Sequence, residues 1–163
     1  MFYIIMGVSG TGKSTIGKLL HDRTGWDFHD ADDFHSQANI DKMNRGIALN
    51  DHDRFPWLEE LQKLISHTIS HNQSGILACS ALKSQYRQIL RGNHSEVVFI
   101  YLRGGYDCIQ SRIQQRGHFM KSNLLLSQFD TLEEPHDALE IDVSLSPEQI
   151  VEKILRTDTE YRI

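Results

Sequence analysis

The sequence is poor in residues that cross-link or rigidify small secreted proteins. Its 163 residues include two cysteines, Cys79 and Cys108, without CxxC spacing, and three prolines. A disulfide framework is therefore not expected, and a chain of this length can bury a hydrophobic core without one. The apolar stretch before the first glycine, MFYIIM, is too short for a signal peptide. We therefore expect a single domain over residues 1–163, located in the cytoplasm.

A strongly basic surface is also missing. The chain has 17 Lys and Arg against 22 Asp and Glu, a formal net charge of -5, and its basic residues form no block. Proteins that bind a nucleic-acid backbone need a basic patch or stripe. We therefore expect neither a nucleic acid nor a membrane as a partner. The hydrophobic fraction of 39% is ordinary for a soluble globular protein, so extensive disorder is not expected either.

Strand-like runs alternate with segments of helical periodicity. FYIIM, GILACS and VVFIYL have the β-branched or aromatic character of strands, and WDFH and ALEIDV are weaker candidates. Helical spacing is present in STIGKLLHDRTG, PWLEELQKLISHTISHN, ALKSQYRQILRG and YDCIQSRIQQRG. The last helix has Ser146 as N-cap, Pro147 in its first position and Gln149 completing a capping box. This alternation predicts an α/β fold with a parallel sheet.

The strongest motif is GVSGTGKS at residues 7–14, which matches the phosphate-binding pattern GxxxxGK[ST] and follows an apolar strand. Glycines allow backbone N–H groups to turn toward a phosphate, the lysine neutralises β- and γ-phosphate oxygens, and the serine hydroxyl binds Mg²⁺. ATP and Mg²⁺ are therefore the expected cofactors. The predicted nucleotide-binding residues of this loop are Gly7, Ser9, Gly10, Thr11, Gly12, Lys13, Ser14 and Thr15.

A phosphate-binding loop leaves the reaction open. A GTPase is disfavoured because the guanine-reading NKxD motif is absent. Acidic and basic clusters instead follow successive predicted strands, where the loops of an open parallel sheet converge. This pattern favours phosphoryl transfer to a small polar acceptor. Two stretches that interrupt the alternation, residues 30–57 and 117–137, are predicted to be the acceptor-binding segment and a lid.

Several motifs in the same order resemble those of the gluconokinases, a family of P-loop small-molecule kinases. They are GVSGTGKST, DADDFHSQANIDKMNRGIALNDHDRFPWL, CSALKSQYR and RGHFMKSNLLLSQFDTLEEP. The resemblance implies transfer of the ATP γ-phosphate to the 6-hydroxyl of D-gluconate, and a homodimer. It also implies a three-layer fold with a five-stranded parallel sheet, helices on both faces, and a mobile acceptor segment and lid. The sequence departs from the family at Ala31, usually glycine, and at Ser36, usually proline.

The acidic and basic residues of these motifs have candidate roles and simpler alternatives. Asp32 is the best candidate to deprotonate the acceptor, and Asp30 would join Ser14 on Mg²⁺. The alternative is that these acids merely end a strand. Basic and imidazole side chains would bind the acceptor, and Lys83 and Arg87, four residues apart, are expected on one helix face. The simpler alternatives for the basic residues are a surface ion pair of Arg54 with Asp51 or Asp53 and a solvated helix face. The predicted substrate-binding residues are Asp32, His35, Arg54, Lys83, Arg87 and His118.

Two arginines four residues apart, Arg112 and Arg116, precede the predicted lid. They could simply form a basic exposed helix face. By resemblance to related kinases, one would stack on adenine and the other would meet phosphate. We assign Arg116, which is nearer the lid, to phosphate and name it with Lys13 and Asp32 as catalytic. Arg112 and Pro147 complete the predicted nucleotide-binding set.

Two alternatives to a gluconate kinase stay open. A shikimate- or nucleoside-monophosphate-type kinase would share the core, but the acceptor segment lacks an arginine-rich phosphate site and the third strand leads into CSALK. A nucleotide-dependent switch with slow hydrolysis would use the same phosphate-binding loop. Stimulation of ATP turnover by an acceptor distinguishes these possibilities.

Overall fold

The computed structural model describes residues 1–117 and 122–161. Within them, five strands form one sheet in the order β2-β3-β1-β4-β5, and every neighbouring pair is parallel. All five runs predicted as strands are confirmed. The strands are β1 (Phe2–Met6), β2 (Asp27–Asp30), β3 (Gly75–Ala78), β4 (Val97–Arg103) and β5 (Leu139–Asp142).

Seven α-helices lie within the described residues, together with a short 3₁₀ helix at Ala31–Phe34. The capping box predicted for the last helix is confirmed, because Ser146 N–H donates to Gln149 Oε1 (2.9 Å) and Gln149 N–H donates to Ser146 Oγ (3.2 Å). The helices are α1 (Lys13–Thr24), α2 (Gln37–Asn44), α3 (Asp51–Ser70), α4 (Ser84–Arg91), α5 (Tyr106–Gln115), α6 (Ser122–Thr131) and α7 (Pro147–Tyr161).

The sheet is covered by helices on both faces, which confirms the three-layer α/β fold. Strand β1 shows why, since alternate side chains of a strand point to opposite faces. Tyr3 and Ile5 join a core cluster with α1, α5, α6 and α7, whereas Phe2, Ile4 and Met6 join a second cluster with α3 and α4. A strand buried on both faces reads as a continuous apolar run, as FYIIM does.

The segment between β2 and α3 contains more helix than the sequence indicated. Helix α2 begins after Ser36, whose Oγ accepts from the N–H of Asn39 (3.2 Å), so the departure from proline supplies an N-cap. Helix α3 begins at Asp51 rather than at Pro56, where the apolar periodicity started. Asn50 and Asp53 form a capping box there, with hydrogen bonds of 2.8 and 3.1 Å.

The region predicted to be a lid contains helix α6. Residues 118–121, including the predicted substrate ligand His118, lie outside the described residues. The helices among the described residues are too short or too polar to span a membrane.

The capping box of α7 gives a test of the fold. Ser146→Ala removes the side-chain acceptor and should lower the free energy of unfolding by about 1 kcal/mol. Ser111→Ala, at an exposed position inside α5, should change stability little, because alanine favours a helix interior. Urea unfolding at constant m-value measures both, and equal effects of the two substitutions would contradict the capping role.

Candidate active site

The phosphate-binding loop connects β1 to α1 in a conformation that requires glycine. Gly7 and Gly10 have φ values of 146° and 83°. A Cβ atom at Gly7 would lie 2.8 Å from the carbonyl oxygen of Leu102, and one at Gly10 would lie 2.7 Å from Ile113 Cγ1. The loop is therefore packed tightly on β4 and α5, and it leads directly into the N-terminus of α1, where N–H groups favour an anion.

Lys13, the first residue of α1, folds back over this loop. Its Nζ donates to the carbonyl oxygens of Gly7 and Val8, both at 3.0 Å. Burial lowers the pKa of Lys13 to about 8, although Cys79, Asp32 and Asp30 oppose this shift. A half-buried ammonium held by two carbonyl groups is a localised positive charge for phosphate oxygens.

Ser14 and Asp30 meet at the carboxyl end of β2. Ser14 Oγ donates to Asp30 Oδ2 at 3.1 Å, and Asp30 Oδ1 accepts from the N–H of Asp32 at 3.0 Å. A hydroxyl and a carboxylate are ligands that suit Mg²⁺, which usually takes one or two protein oxygens and completes its shell with phosphates and waters. The described residues contain no cluster of three or more His, Cys, Asp or Glu for a metal held by protein alone.

Asp32 faces the same space as Lys13. Desolvation raises the pKa of its carboxyl above the ordinary value, Asp30 adds to the shift, and His35 and Lys13 oppose it. A carboxylate with a raised pKa is a better proton acceptor than an ordinary exposed one. The other departure from the family, Ala31, is buried and has no positive φ, so alanine fits there, and its carbonyl accepts from Trp57 Nε1 at 2.7 Å.

One cavity of about 430 Å³ brings together residues predicted from separate motifs. It lies at the carboxyl ends of β1, β2 and β3, where loops of a parallel sheet converge. Arg116, exposed at the end of α5, lines it as expected. Its lining includes Lys13, Ser14, Asp30, Asp32, Arg116 and Gln128.

A second polar cluster joins the start of α3 to the start of α4. Arg54 donates to the hydroxyl of Tyr86 at 3.2 Å, and Lys83 Nζ forms an ion pair of 2.9 Å with Asp51. The Tyr86 hydroxyl also donates to Asp51. The alternative pairing of Arg54 with Asp51 or Asp53 is therefore not what the structure has, since Asp53 pairs with Lys42 at 2.9 Å.

His35 borders this region from the acceptor segment. Its ring stacks on Trp57 with centroids 4.2 Å apart and an interplanar angle of 15°. Burial lowers the pKa of His35, Asp32 opposes the shift, and Arg54 adds to it. A neutral imidazole can donate or accept a hydrogen bond, as a polyol ligand requires.

The structure does not bring Arg87 to the same cavity. Its side chain is buried, and its guanidinium donates to the carbonyl oxygens of Ala81 (2.8 Å), Leu82 (3.1 Å) and Glu133 (2.7 Å). Arg87 and Lys83 were expected on one helix face, but Lys83 is the N-cap of α4 and lies outside it. The prediction of Arg87 as a substrate ligand is therefore replaced by a structural role that joins two loops.

Arg112, in α5, contacts the loop that comes before α7. It donates to the carbonyl oxygen of Val143, a residue that comes shortly before Pro147 at the start of α7. Arg112 thus contacts the loop that leads to Pro147, the other predicted nucleotide-binding residue outside the phosphate loop. Their contact with adenine stays a prediction.

Sequence reasoning missed three polar residues of this region, Asp51, Tyr86 and Gln128. Asp51 and Tyr86 were within quoted motifs, but only their basic neighbours were given roles. Gln128 had an available signal, because it interrupts an apolar spacing at residues 125, 129 and 132.

The fold and this cavity together define a P-loop kinase of the α/β class. The family model described as shikimate kinase matches residues 9–159. The gluconokinase of Arabidopsis thaliana is 48% identical over 93% of this chain and 88% of its own length. The thermosensitive gluconokinase of Escherichia coli K12 is 46% identical over 87% and 79%.

Solved structures agree with these relatives. A gluconokinase from Sinorhizobium meliloti superposes with a TM-score of 0.84 at 34% identity, covering 98% of this chain and 95% of that one. The chain therefore belongs to the gluconokinase family, within the wider group that the shikimate kinase model describes.

The role given to Arg87 can be tested by stability. Arg87→Met should lower the free energy of unfolding by about 3 kcal/mol, because it leaves buried carbonyl groups without their donor. Arg91→Met, on the same helix, removes a partly exposed pair with Asp137 and a contact with the Phe99 ring. Arg91→Met should lower the free energy of unfolding by about 1 kcal/mol or less. Urea unfolding without ligands measures both, and a neutral Arg87→Met would contradict the structural role.

Proposed function

We propose that this protein catalyses ATP-dependent phosphorylation of D-gluconate at the 6-hydroxyl, giving 6-phospho-D-gluconate and ADP. The observation that carries this proposal is the single cavity lined by Lys13, Asp32 and Arg116. Phosphoryl transfer needs positioning and charge neutralisation rather than covalent chemistry by the protein, and these side chains supply both. The gluconokinases at 46 and 48% identity support gluconate as the acceptor.

Each group has a distinct task in this reaction. The N–H groups of the phosphate loop and Lys13 hold the β- and γ-phosphates, and Arg116 stabilises charge on the moving phosphoryl group. Asp32 takes the proton as the O–H bond of the 6-hydroxyl breaks. A new O–P bond then forms, while the bond between the γ-phosphorus and its bridging oxygen breaks and leaves ADP.

Ser14 and Asp30 would hold Mg²⁺. When bound, the ion neutralises phosphate charge and orients the oxygens of ATP. Ser14 Oγ is 3.1 Å from Asp30 Oδ2, and both residues line the cavity, so one ion would be within reach of both oxygens. A negative Asp32 beside an anionic nucleotide is then tolerated, because the metal and Lys13 offset the phosphate charge.

The cluster around Tyr86 is the proposed site for the acidic end of gluconate. Arg54 and Lys83 both lie near the Tyr86 ring, at 5.7 and 5.6 Å from its centroid. A carboxylate would take over the pairing that Lys83 now has with Asp51, and Arg54 would offer it a planar pair of donors. His35 would contact the hydroxyl groups, and His118, outside the described residues, stays a predicted ligand.

The remaining expectations belong to the same proposal. The chain works as one kinase domain, with residues 30–57 as acceptor segment and residues 117–137 as lid. We place it in the cytoplasm, where its two cysteines, both free thiols, would stay reduced. The homodimer stays a prediction from family resemblance, to be measured by light scattering.

An acceptor panel tests the proposed function. ADP release should be strongly stimulated by D-gluconate and little by shikimate, AMP or CMP. Lys13→Ala should lose the gluconate-dependent signal, because the transferred phosphate loses its principal positive charge. Stimulation by shikimate or a nucleotide instead of gluconate would assign the protein to another kinase class. ATP hydrolysis at the same rate with and without every acceptor would indicate a nucleotide-dependent switch.

The two aspartates should respond differently to magnesium. Asp32→Asn keeps the shape but removes the base, so kcat should fall about 10²- to 10⁴-fold at every Mg²⁺ concentration. Asp30→Asn weakens the metal site, so raised Mg²⁺ should restore part of its activity. A magnesium titration of kcat for both variants is the measurement. Equal rescue of the two would reject this division of labour.

A further inference from the structure

Gln128 is a polar residue on the packed face of α6. Leu125, Gln128, Phe129 and Leu132 follow the spacing i, i+3, i+4 and i+7, which places them along one side of a helix. Leu125 is 1% exposed, and the Phe129 ring meets that of Tyr106 edge-on with centroids 5.9 Å apart. An amide at such a position costs stability unless its hydrogen bonds are satisfied.

The partner of this amide is Ser9 in the phosphate loop. Ser9 N–H donates to Gln128 Oε1 at 2.7 Å, and Gln128 Nε2 donates to Ser9 Oγ at 2.9 Å. These two bonds tie the helix of the predicted lid to the loop across 119 residues of sequence. They also fix which way the amide points, since a backbone N–H can only donate and must therefore meet the oxygen.

The orientation leaves one amide hydrogen for another group. An amide nitrogen carries two hydrogens, and one of them is used by Ser9 Oγ. The described residues provide no further hydrogen-bond partner for Nε2. Gln128 lines the same cavity as Lys13, Asp32 and Arg116, next to the loop that holds the phosphates. Gln128 therefore has a neutral donor available in the cavity where the phosphates of ATP are proposed to bind.

We propose that Gln128 is a γ-phosphate ligand that joins α6 to the phosphate loop, so that the helix recognises ATP in preference to ADP. This inference rests on the proposed use of ATP as phosphoryl donor. Oε1 stays on Ser9 N–H, and the second hydrogen of Nε2 binds a γ-phosphate oxygen. The contact is absent with ADP, which has no γ-phosphate. Gln128 thereby gives the helix that covers the site a direct contact with the group to be transferred.

The Gln128→Glu variant separates the attachment of α6 to the phosphate loop from hydrogen-bond donation to the γ-phosphate. A carboxylate can accept from both the N–H and the hydroxyl of Ser9, so α6 should stay attached to the loop. It has no hydrogen to donate and it adds a negative charge, so ATP affinity should fall at least about 10- to 100-fold, the range for a lost hydrogen bond to a charged group, while ADP affinity falls less. Titration calorimetry with Mg²⁺ and each nucleotide, without any acceptor, measures the ratio.

Two further variants complete the test. Gln114→Glu makes the same chemical change at an exposed position of α5 and should leave both affinities unchanged. Gln128→Ala removes the donor without adding a charge, so it should also lower the ATP-to-ADP affinity ratio. It should reduce the hydrogen-exchange protection of α6 as well, because the bonds to Ser9 are lost. An unaltered ATP-to-ADP affinity ratio in Gln128→Glu, or equal losses for both nucleotides, would overturn the proposal and leave Gln128 with a purely structural role.

The outcome is independent of the acceptor. If the wild-type protein shows no gluconate-dependent turnover but Gln128→Glu lowers the ATP-to-ADP affinity ratio, the proposed function fails and the γ-phosphate contact stands. If gluconate is phosphorylated but Gln128→Glu leaves the ATP-to-ADP affinity ratio unchanged, the proposed function stands and the γ-phosphate contact fails. If the wild-type protein binds no ATP, both proposals fail.

Discussion

The parallel direction of all the strands is the constraint on which the site depends. Because every strand of the sheet ends at the same edge, the loops after β1, β2 and β3 meet there although they are far apart in sequence. The phosphate loop follows β1 directly, Asp30 is the last residue of β2, and Cys79 and Ser80 follow β3 directly. The backbone joins two of them, since Gly7 N–H donates to the carbonyl of Ser80 at 3.3 Å. The order and direction of the strands therefore bring these loops together, whichever side chains the loops carry.

Features set by local spacing could be predicted from the sequence. Strands β1, β3 and β4 follow from short apolar runs, and β2 and β5 from the weaker candidates WDFH and ALEIDV. The α7 cap follows from Ser146, Pro147 and Gln149, whose roles depend on neighbours within one helical turn. The phosphate loop is equally local. The start of α3 was missed because its capping box uses Asn50 with Asp53, and the apolar periodicity begins only afterwards.

Long-range choices could not be predicted in the same way. Spacing placed Lys83 and Arg87 on one face, but it cannot say which side of a short helix is buried. Burial depends on what packs there, and Arg87 meets Glu133, which is 46 residues away in sequence. Gln128 raises the same difficulty: its position in an apolar spacing marks it as unusual, but its partner Ser9, 119 residues away, cannot be read from that spacing.

The cluster around Tyr86, proposed to bind the acidic end of gluconate, contains a negative charge of its own. Arg54 and Lys83 would repel each other if they stood alone, and Asp51 offsets this by accepting from Lys83 and from the Tyr86 hydroxyl. These hydrogen bonds, that of Tyr86 first, hold the pKa of Asp51 below its ordinary value, which favours its negative form. An anionic acceptor can compensate the same positive charge, whereas a neutral sugar cannot. Selection of a sugar acid over a sugar would then follow from charge.

The loop between this cluster and the phosphate loop is held in an unfavourable conformation. Ala81 has a φ of 46°, a left-handed region that a non-glycine residue enters at a cost of about 1–2 kcal/mol. Arg87 opposes that cost by binding the carbonyl oxygens of Ala81 and Leu82. Its third bond, to Glu133, joins the same loop to the chain that leaves α6. Arg87, predicted as a substrate ligand, therefore has an indirect role. It fixes the loop that carries Lys83 and the segment that follows α6, the helix that carries Gln128.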